Sequence, residues 1–485
     1  MGGDDRTGVA AAVRLGEGVA LGEALDVHDP DSWLSLDLGV RYLRPHQREL
    51  LPTRAEVIDG QASRSASWSL KGFAVRRQAR ELDDARLAMA LCHPDGRVRE
   101  AAVGKAVGRP ALLPLVVVRC TDWAAPVRER AREVLRAGLD CADTTGLAAL
   151  VLKAGRRDRG EFAVGLLREL LCRAPHGRLV PLLTDRDRDV RRFAHRIAVA
   201  ERRLSPAELA RTAARDNDTV VQKLCADVAL AGASEADYDE VLVPLLGSRN
   251  PWVRSAGVTG LRRAGQAGRA REFLVDRSSL VRACARYVVR QDGVDPLPRY
   301  RDWCTRAGEV PPGAPAGLGE CGVRADAELL WPLVTHPVGA VRVGAVAGLR
   351  ALDAVEAERL RVLLDDPAPA VAREAATALA PSAGRLDTDW LLDRLAPDRP
   401  RHTRLAAFRL LDVQGGVIQL RSAVALLNDS DDKLRRWAEQ SVQRWQPSAD
   451  VPRGDAEVAE LLGRCEHLFS TYVMDRRKWA AGIRS

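Results

Sequence analysis

A short phrase recurs along this chain about every 31 residues, and that period constrains the fold more than any other feature. It opens on a branched apolar residue, follows with a basic one, and sets a small one four positions after the first. It reads Val98-Arg99 with Ala102, Val127-Arg128 with Ala131, and Val190-Arg191 with Ala194. Val221-Gln222 with Cys225, Val253-Arg254 with Gly257, and Val281-Arg282 with Ala285 continue it. Val341-Arg342 with Ala345, Val371-Ala372 with Ala375, Thr403-Arg404 with Ala407, and Leu434-Arg435 with Ala438 complete the set. Two intervals are double steps. A degenerate copy at Arg159, Ala163 and Leu167 fills one. The other falls near Pro311-Pro312-Gly313-Ala314-Pro315, and a weaker copy starts at Leu70 with Ala74.

The opening residue, the small residue and a further apolar one at the eighth position (Leu135, Leu261, Leu349, Leu379, Leu411, Val442) form one stripe of a helix. A small side chain in mid-stripe lets a second helix approach closely. Turns such as His93-Pro94-Asp95, Asn250-Pro251, His336-Pro337 and Asp366-Pro367 precede the phrase and can cap the helix that follows. Before each turn lies another apolar segment, as in Leu360-Arg361-Val362-Leu363-Leu364. Each repeat is therefore expected to be helix, turn, helix, and neither helix can bury its stripe alone. The expectation is an all-α chain, an elongated α-solenoid of stacked pairs. Its parts would be an N-terminal cap with a degenerate first repeat over residues 1–64, repeats over 65–447, and a C-terminal capping helix over 448–485. A Pro/Gly-rich segment at 308–322 reads as a decayed repeat or an extended loop.

The phrase DPxxxVRxxAxxxL, matched by Asp366-Pro367, Val371 and Leu379 with Ala372 in the arginine's place, resembles a HEAT repeat. The period is similar to that of the short HEAT-like repeats of phycobilisome lyases and bacterial scaffold proteins. The resemblance implies that second helices line a concave face. It also implies that Arg99, Arg128, Arg191, Arg254, Arg282, Arg342 and Arg435 join an Asp/Arg ladder between repeats.

Of the 74 basic residues only six are lysines, which is what GC-rich coding produces, so the net charge of +8 says little by itself. Its distribution says more. Residues 151–200 and 251–300 are each +6, whereas 1–50 and 351–400 are each −4. A basic middle points weakly to an acidic partner. Nine widely spaced cysteines without a CxxC pattern read as free thiols in a reducing compartment. The acidic N-terminus is unlike a signal peptide, and no run of 18 apolar residues could span a membrane. A cytoplasmic protein without a membrane partner is expected.

Signatures of metalloprotease, P-loop, serine-hydrolase and EF-hand chemistry do not occur. The eight histidines are scattered; His93 and His336 share a turn position and read as caps rather than metal ligands, so no metal and no cofactor are expected. One literal GxGxxG, Gly317 to Gly322, follows a proline-rich stretch that cannot be a strand, which argues against a dinucleotide loop.

Arginines off the ladder positions, Arg192, Arg196, Arg286 and Arg290, are candidates for contacting a partner. A protein partner is favoured; nucleic acid through the central basic helices is the alternative. Some HEAT-like proteins are alkylpurine DNA glycosylases, and two features resemble their sites. Trp33 and Asp37 lie four apart, and Asn250-Pro251-Trp252-Val253-Arg254 is similar to their tryptophan-bearing segment. The favoured reading is a non-catalytic binding scaffold. Trp33, Asp37 and Trp252 mark the enzyme reading.

Overall fold

The computed structural model describes residues 3–59, 82–139, 144–306, 309–448 and 451–483. The weak copy at Leu70 and Ala74 lies outside them. Among the described residues every regular element is helical, and the chain divides into two units, Met1–Asp237 and Tyr238–Ser485. Each unit is a stack of HEAT-like helix pairs, the all-α solenoid architecture expected from the period.

One repeat shows why these residues fold as they do. Asp187 caps the helix Arg188–Ala200 by accepting from the Asp189 amide. Val190, Ala194 and Ala198 on its stripe are fully buried, while Arg188 and Arg196 face away. Burying a valine of this kind contributes about 1.5–3 kcal/mol. The chain leaves the helix through Arg202, whose positive φ of 49° turns it back. Ser205 then opens Pro206–Arg215 with a capping box closed by Glu208 and with proline in the first turn. The phrase residues behave alike throughout, Val98, Val221, Val281, Val341 and Val371 all being fully buried.

Both double steps contain a helix. Glu161–Arg173 buries Ala163 and Leu167, the degenerate copy. At the other gap the Pro/Gly-rich segment forms the helix Ala314–Cys321 rather than an extended loop. Its glycines are packing devices: a Cβ on Gly317 would overlap the Tyr300 ring, and one on Gly319 would overlap Gly348. In the C-terminal unit several first helices tighten to 3-10 turns, at Ala267–Val275, Trp331–Thr335 and Arg361–Asp365.

The ends of the chain are fastened differently. At the N-terminus, Gly3–Gly16 and Pro30–Arg41 cross where Gly8 meets Gly39, too close for a Cβ on either. At the C-terminus, Arg477 of Thr471–Ala480 donates to the carbonyls of Val442 (3.1 Å), Gln443 (2.5 Å) and Trp445, the last of Asp432–Arg444 and its C-cap. No described helix is long and apolar enough to cross a membrane.

Candidate functional site

The arginine after each opening residue does two jobs. Its Nη1 donates to the carbonyl six residues earlier, in its own turn: Arg99 to His93, Arg191 to Asp185, Arg254 to Ser248 and Arg342 to His336, all at 2.8 Å. Its remaining donors reach a carboxylate of the next repeat. Arg99 meets Asp122, Arg191 meets Asp216, Arg254 meets Asp276 and Arg342 meets Asp366. Each aspartate also accepts an amide two residues on, which holds its own turn. His93 and His336 do this with Nδ1, at 2.9 and 3.1 Å, as turn caps.

The ladder differs from the expected set at four places. Arg128 and Arg435 reach the turn carbonyls of Asp122 and Asp429 but, among the described residues, no carboxylate of a following repeat; their ion pairs are with Glu129 and Asp432 beside them. Arg404, outside the expected set, pairs with Asp429. Arg282 reaches Glu320, on the helix that fills the irregular gap.

The four off-ladder arginines divide into two kinds. Arg192 holds Asp218 with two hydrogen bonds of 2.9 and 2.7 Å, and together with the Val220 and Val221 amides lowers its carboxyl to about 2. Arg286 is buried and donates to Glu320 at 2.6 Å. Both therefore serve pairing between repeats, which the sequence reading had reserved for ladder positions. Arg196 and Arg290, one turn further along, are exposed and carry no hydrogen bond or ion pair among the described residues.

Trp33 and Asp37 share a helix, but both are buried. The Trp33 indole donates to the Val27 carbonyl at 3.0 Å. Asp37 is paired with Arg119, with Arg41 at 3.3 Å and with Arg157 at 3.7 Å. Arg119 goes on to Asp122 (3.0 Å) and so to Arg99, a four-member buried network that spacing alone could not reveal. A carboxylate enclosed this way has no face left for a sugar cation. Trp252 belongs to the other unit and is 66% exposed.

Trp252 lies on a side of the second helices that also carries Arg262, Tyr287 and Arg290. Along Pro251–Arg263 the residues Trp252, Ser255, Thr259 and Arg262 follow helical spacing. Arg262 donates across to the Tyr287 hydroxyl at 3.1 Å, joining this row to Ser279–Gln291. Tyr287 is 49% exposed. Large exposed aromatics beside arginine have the composition of binding hot spots.

Sequence reasoning also missed a Cys–His pair. His195 Nδ1 lies 3.8 Å from Cys225 Sγ, yet burial pushes that thiol up to about 12 and lowers the imidazole. A nucleophilic cysteine needs the opposite shift. Among the described residues no group of three or more His, Cys, Asp or Glu is placed to hold a metal.

No family model and no curated protein matches the sequence. Among solved structures the chain is similar to an engineered protein (19% identity, 74% of this chain and 97% of that one, TM-score 0.22). It is also similar to importin beta in an ammonium sulfate condition (14% identity, 82% of this chain, TM-score 0.35), of which it spans 64%. A third is Kap121p bound to RanGTP (12% identity, 73% of this chain and 48% of that one, TM-score 0.27). At those scores the superpositions say nothing about what this chain binds.

Proposed function

We propose that this protein is a non-catalytic HEAT-like scaffold, cytoplasmic, that binds a protein partner through the exposed side of its second helices, the side that is concave in HEAT superhelices. One observation carries the reading: Trp252, Tyr287 and Arg290 lie exposed on successive second helices, with Arg262 bonding the Tyr287 hydroxyl and leaving both rings and the Arg290 guanidinium open. The ladder arginines, by contrast, are consumed in holding repeats together, and the Asp37 carboxylate is consumed in the core.

Cross-linking in the native host, followed by comparison of Trp252→Ala/Arg290→Glu with the unaltered chain, tests the reading. The variant should keep its helical content and lose at least tenfold in recovery of the main cross-linked protein. Equal recovery would remove this face from the proposal. Release of alkylated purine from methylated DNA by the purified chain, abolished by Asp37→Asn in a folded variant, would replace the scaffold with the glycosylase reading.

A further inference from the structure

A groove of about 870 Å³ runs along the N-terminal unit between the first helices His176–Leu183 and Pro206–Arg215. Its lining comes from these first helices and their turns, with Arg191 and His195 of the second helix Arg188–Ala200, and includes none of the residues of the face proposed above. Its apolar lining comes from Val180, 44% exposed, with Leu183 and Leu204 half-buried beside it. Around this floor stand Arg186, Arg211 and Arg215, all exposed, their guanidiniums without a hydrogen bond or ion pair among the described residues.

The carboxylates of the groove are already engaged. Asp216 accepts from Arg191 and from the Asp218 amide. Glu208 accepts from the Ser205 amide and hydroxyl, both at 2.8 Å, which hold it below its ordinary range. Asp185 accepts from the Asp187 amide at 2.7 Å. Each acid accepts from a donor of the fold, Glu208 at the exposed start of its helix, while the three guanidiniums make no such bond among the described residues.

We propose that this groove docks an acidic peptide segment of a partner protein, with an aliphatic side chain over Val180 and Leu183 and carboxylates against Arg186, Arg211 and Arg215. Nucleic acid fits less well. The floor is aliphatic and offers no aromatic platform for a base. An aliphatic anchor ringed by charge-assisted hydrogen bonds matches what the groove presents.

The test is selection of a random dodecapeptide phage library on the full chain, followed by anisotropy with the selected peptides. Selected sequences should be rich in Asp and Glu around one aliphatic residue, and should bind less tightly as salt rises. Arg211→Glu/Arg215→Glu should weaken them at least tenfold, and so should Val180→Asp, an exposed position whose change leaves the core intact. Arg385→Glu, an exposed arginine of the other unit, should leave binding unchanged. Failure to select any peptide, selected peptides without acidic enrichment, equal affinity for Arg211→Glu/Arg215→Glu, or tighter capture of a dodecathymidylate than of any peptide would each overturn the proposal. Loss on Arg290→Glu alone would assign the peptides to the second-helix face instead.

Discussion

The same ion pair is built into the two units in different surroundings. In the N-terminal unit Arg99 and Asp122 have side chains 1% and 0% exposed, joined through Arg119 to Asp37 of the first helices. In the C-terminal unit Arg342 and Asp366 make the same contacts with side chains 12% and 6% exposed, at the edge of the stack. Water can reach an edge pair when it breaks, and cannot reach a core one. The core network thus acts as a weld that binds the helix Pro30–Arg41 to the repeats, whereas the edge pairs act as register pins. Nothing in the spacing of the phrase distinguishes the two; the difference comes from Asp37, which lies outside the repeat.

The largest effect should come from breaking the weld. Asp122→Ala leaves Arg99 without a carboxylate and Arg119 with only Asp37, and should cost about 3–5 kcal/mol. Asp366→Ala strands one arginine at the edge and should cost about 1.5–3 kcal/mol, the scale of a hydrogen bond to a charged group. Hydrogen exchange along each unit during urea unfolding would measure both. Equal costs would erase the contrast between core and edge.

Acid should separate the units in the opposite sense. Asp276, Asp326, Asp366, Asp429, Asp431 and Glu457 of the C-terminal unit are held below their ordinary ranges. Burial opposes the shift in all six, while hydrogen bonds from arginine or backbone outweigh it. In the N-terminal unit only Asp122, Glu208 and Asp218 among the described residues are held so. A lowered folded pKa means that the folded state binds fewer protons than the unfolded one. The stabilisation is present in full above the ordinary carboxylate range and drains away as pH falls through the folded values, between about pH 4 and 2. Pepsin digestion across that window should therefore release peptides of residues 238–485 at a higher pH than those of 1–237. Release in the reverse order would mean that the core network, not the number of edge pairs, governs acid stability.

Overpacking compares the two stripes directly. Ala194 and Ala345 hold the same place in the phrase and are both fully buried. Ala345 lies between Gly344 and Gly348, where a Cβ would come within 2.7 Å of the Pro312 carbonyl oxygen and 2.5 Å of the Pro315 one. Leucine at either position should cost about 1–3 kcal/mol, with Ala345→Leu at the upper end, read from thermal melts. If both changes are neutral, the stripe is not where the helices meet.

The repeat phase, the buried stripe and the helix-turn-helix unit could be read from sequence because Val, Ala and Leu at fixed spacing must share a helix face. The turn caps could also be read, since His93, Asp95 and Asn250 sit where a side chain reaches an amide two residues on. Pairing between repeats could not. Arg192 and Arg196 look equivalent on their helix, but only Arg192 lies opposite a carboxylate, Asp218, 26 residues further along. Trp33 and Asp37 have the spacing of a catalytic pair, and only packing reveals that Arg119, 82 residues away from Asp37, encloses the carboxylate. The glycines of 317–322 matched a phosphate-loop pattern by count alone. Their actual constraint is the close approach of Tyr300 and Gly348.

The smallest expected effect tests the ladder where its own arginine is missing. Ala372 stands at the ladder position, so the carbonyl of Asp366, six residues earlier, lacks the guanidinium that serves its counterparts. His402 supplies the donor instead, its Nε2 lying 2.9 Å from that oxygen. The carboxylate arm is absent as well. Apart from Arg282, whose Glu320 lies 38 residues on, the paired acid follows its arginine by 22 to 25 residues, and at that distance from Ala372 the chain reads Arg394, Leu395, Ala396 and Pro397. An arginine at 372 would have a carbonyl to cap but no anion to meet, in a site where Ala372 is fully buried. His402→Ala should therefore cost about 0.5–1.5 kcal/mol, one hydrogen bond to a buried carbonyl. His402→Gln, which can still donate, should recover part of it. Adding Ala372→Arg to His402→Ala should lower stability further, because the charge arrives without its partner. Rescue by that arginine, measured as a rise in melting temperature over His402→Ala alone, would show that the carbonyl arm suffices and that the carboxylate arm of the C-terminal ladder is dispensable.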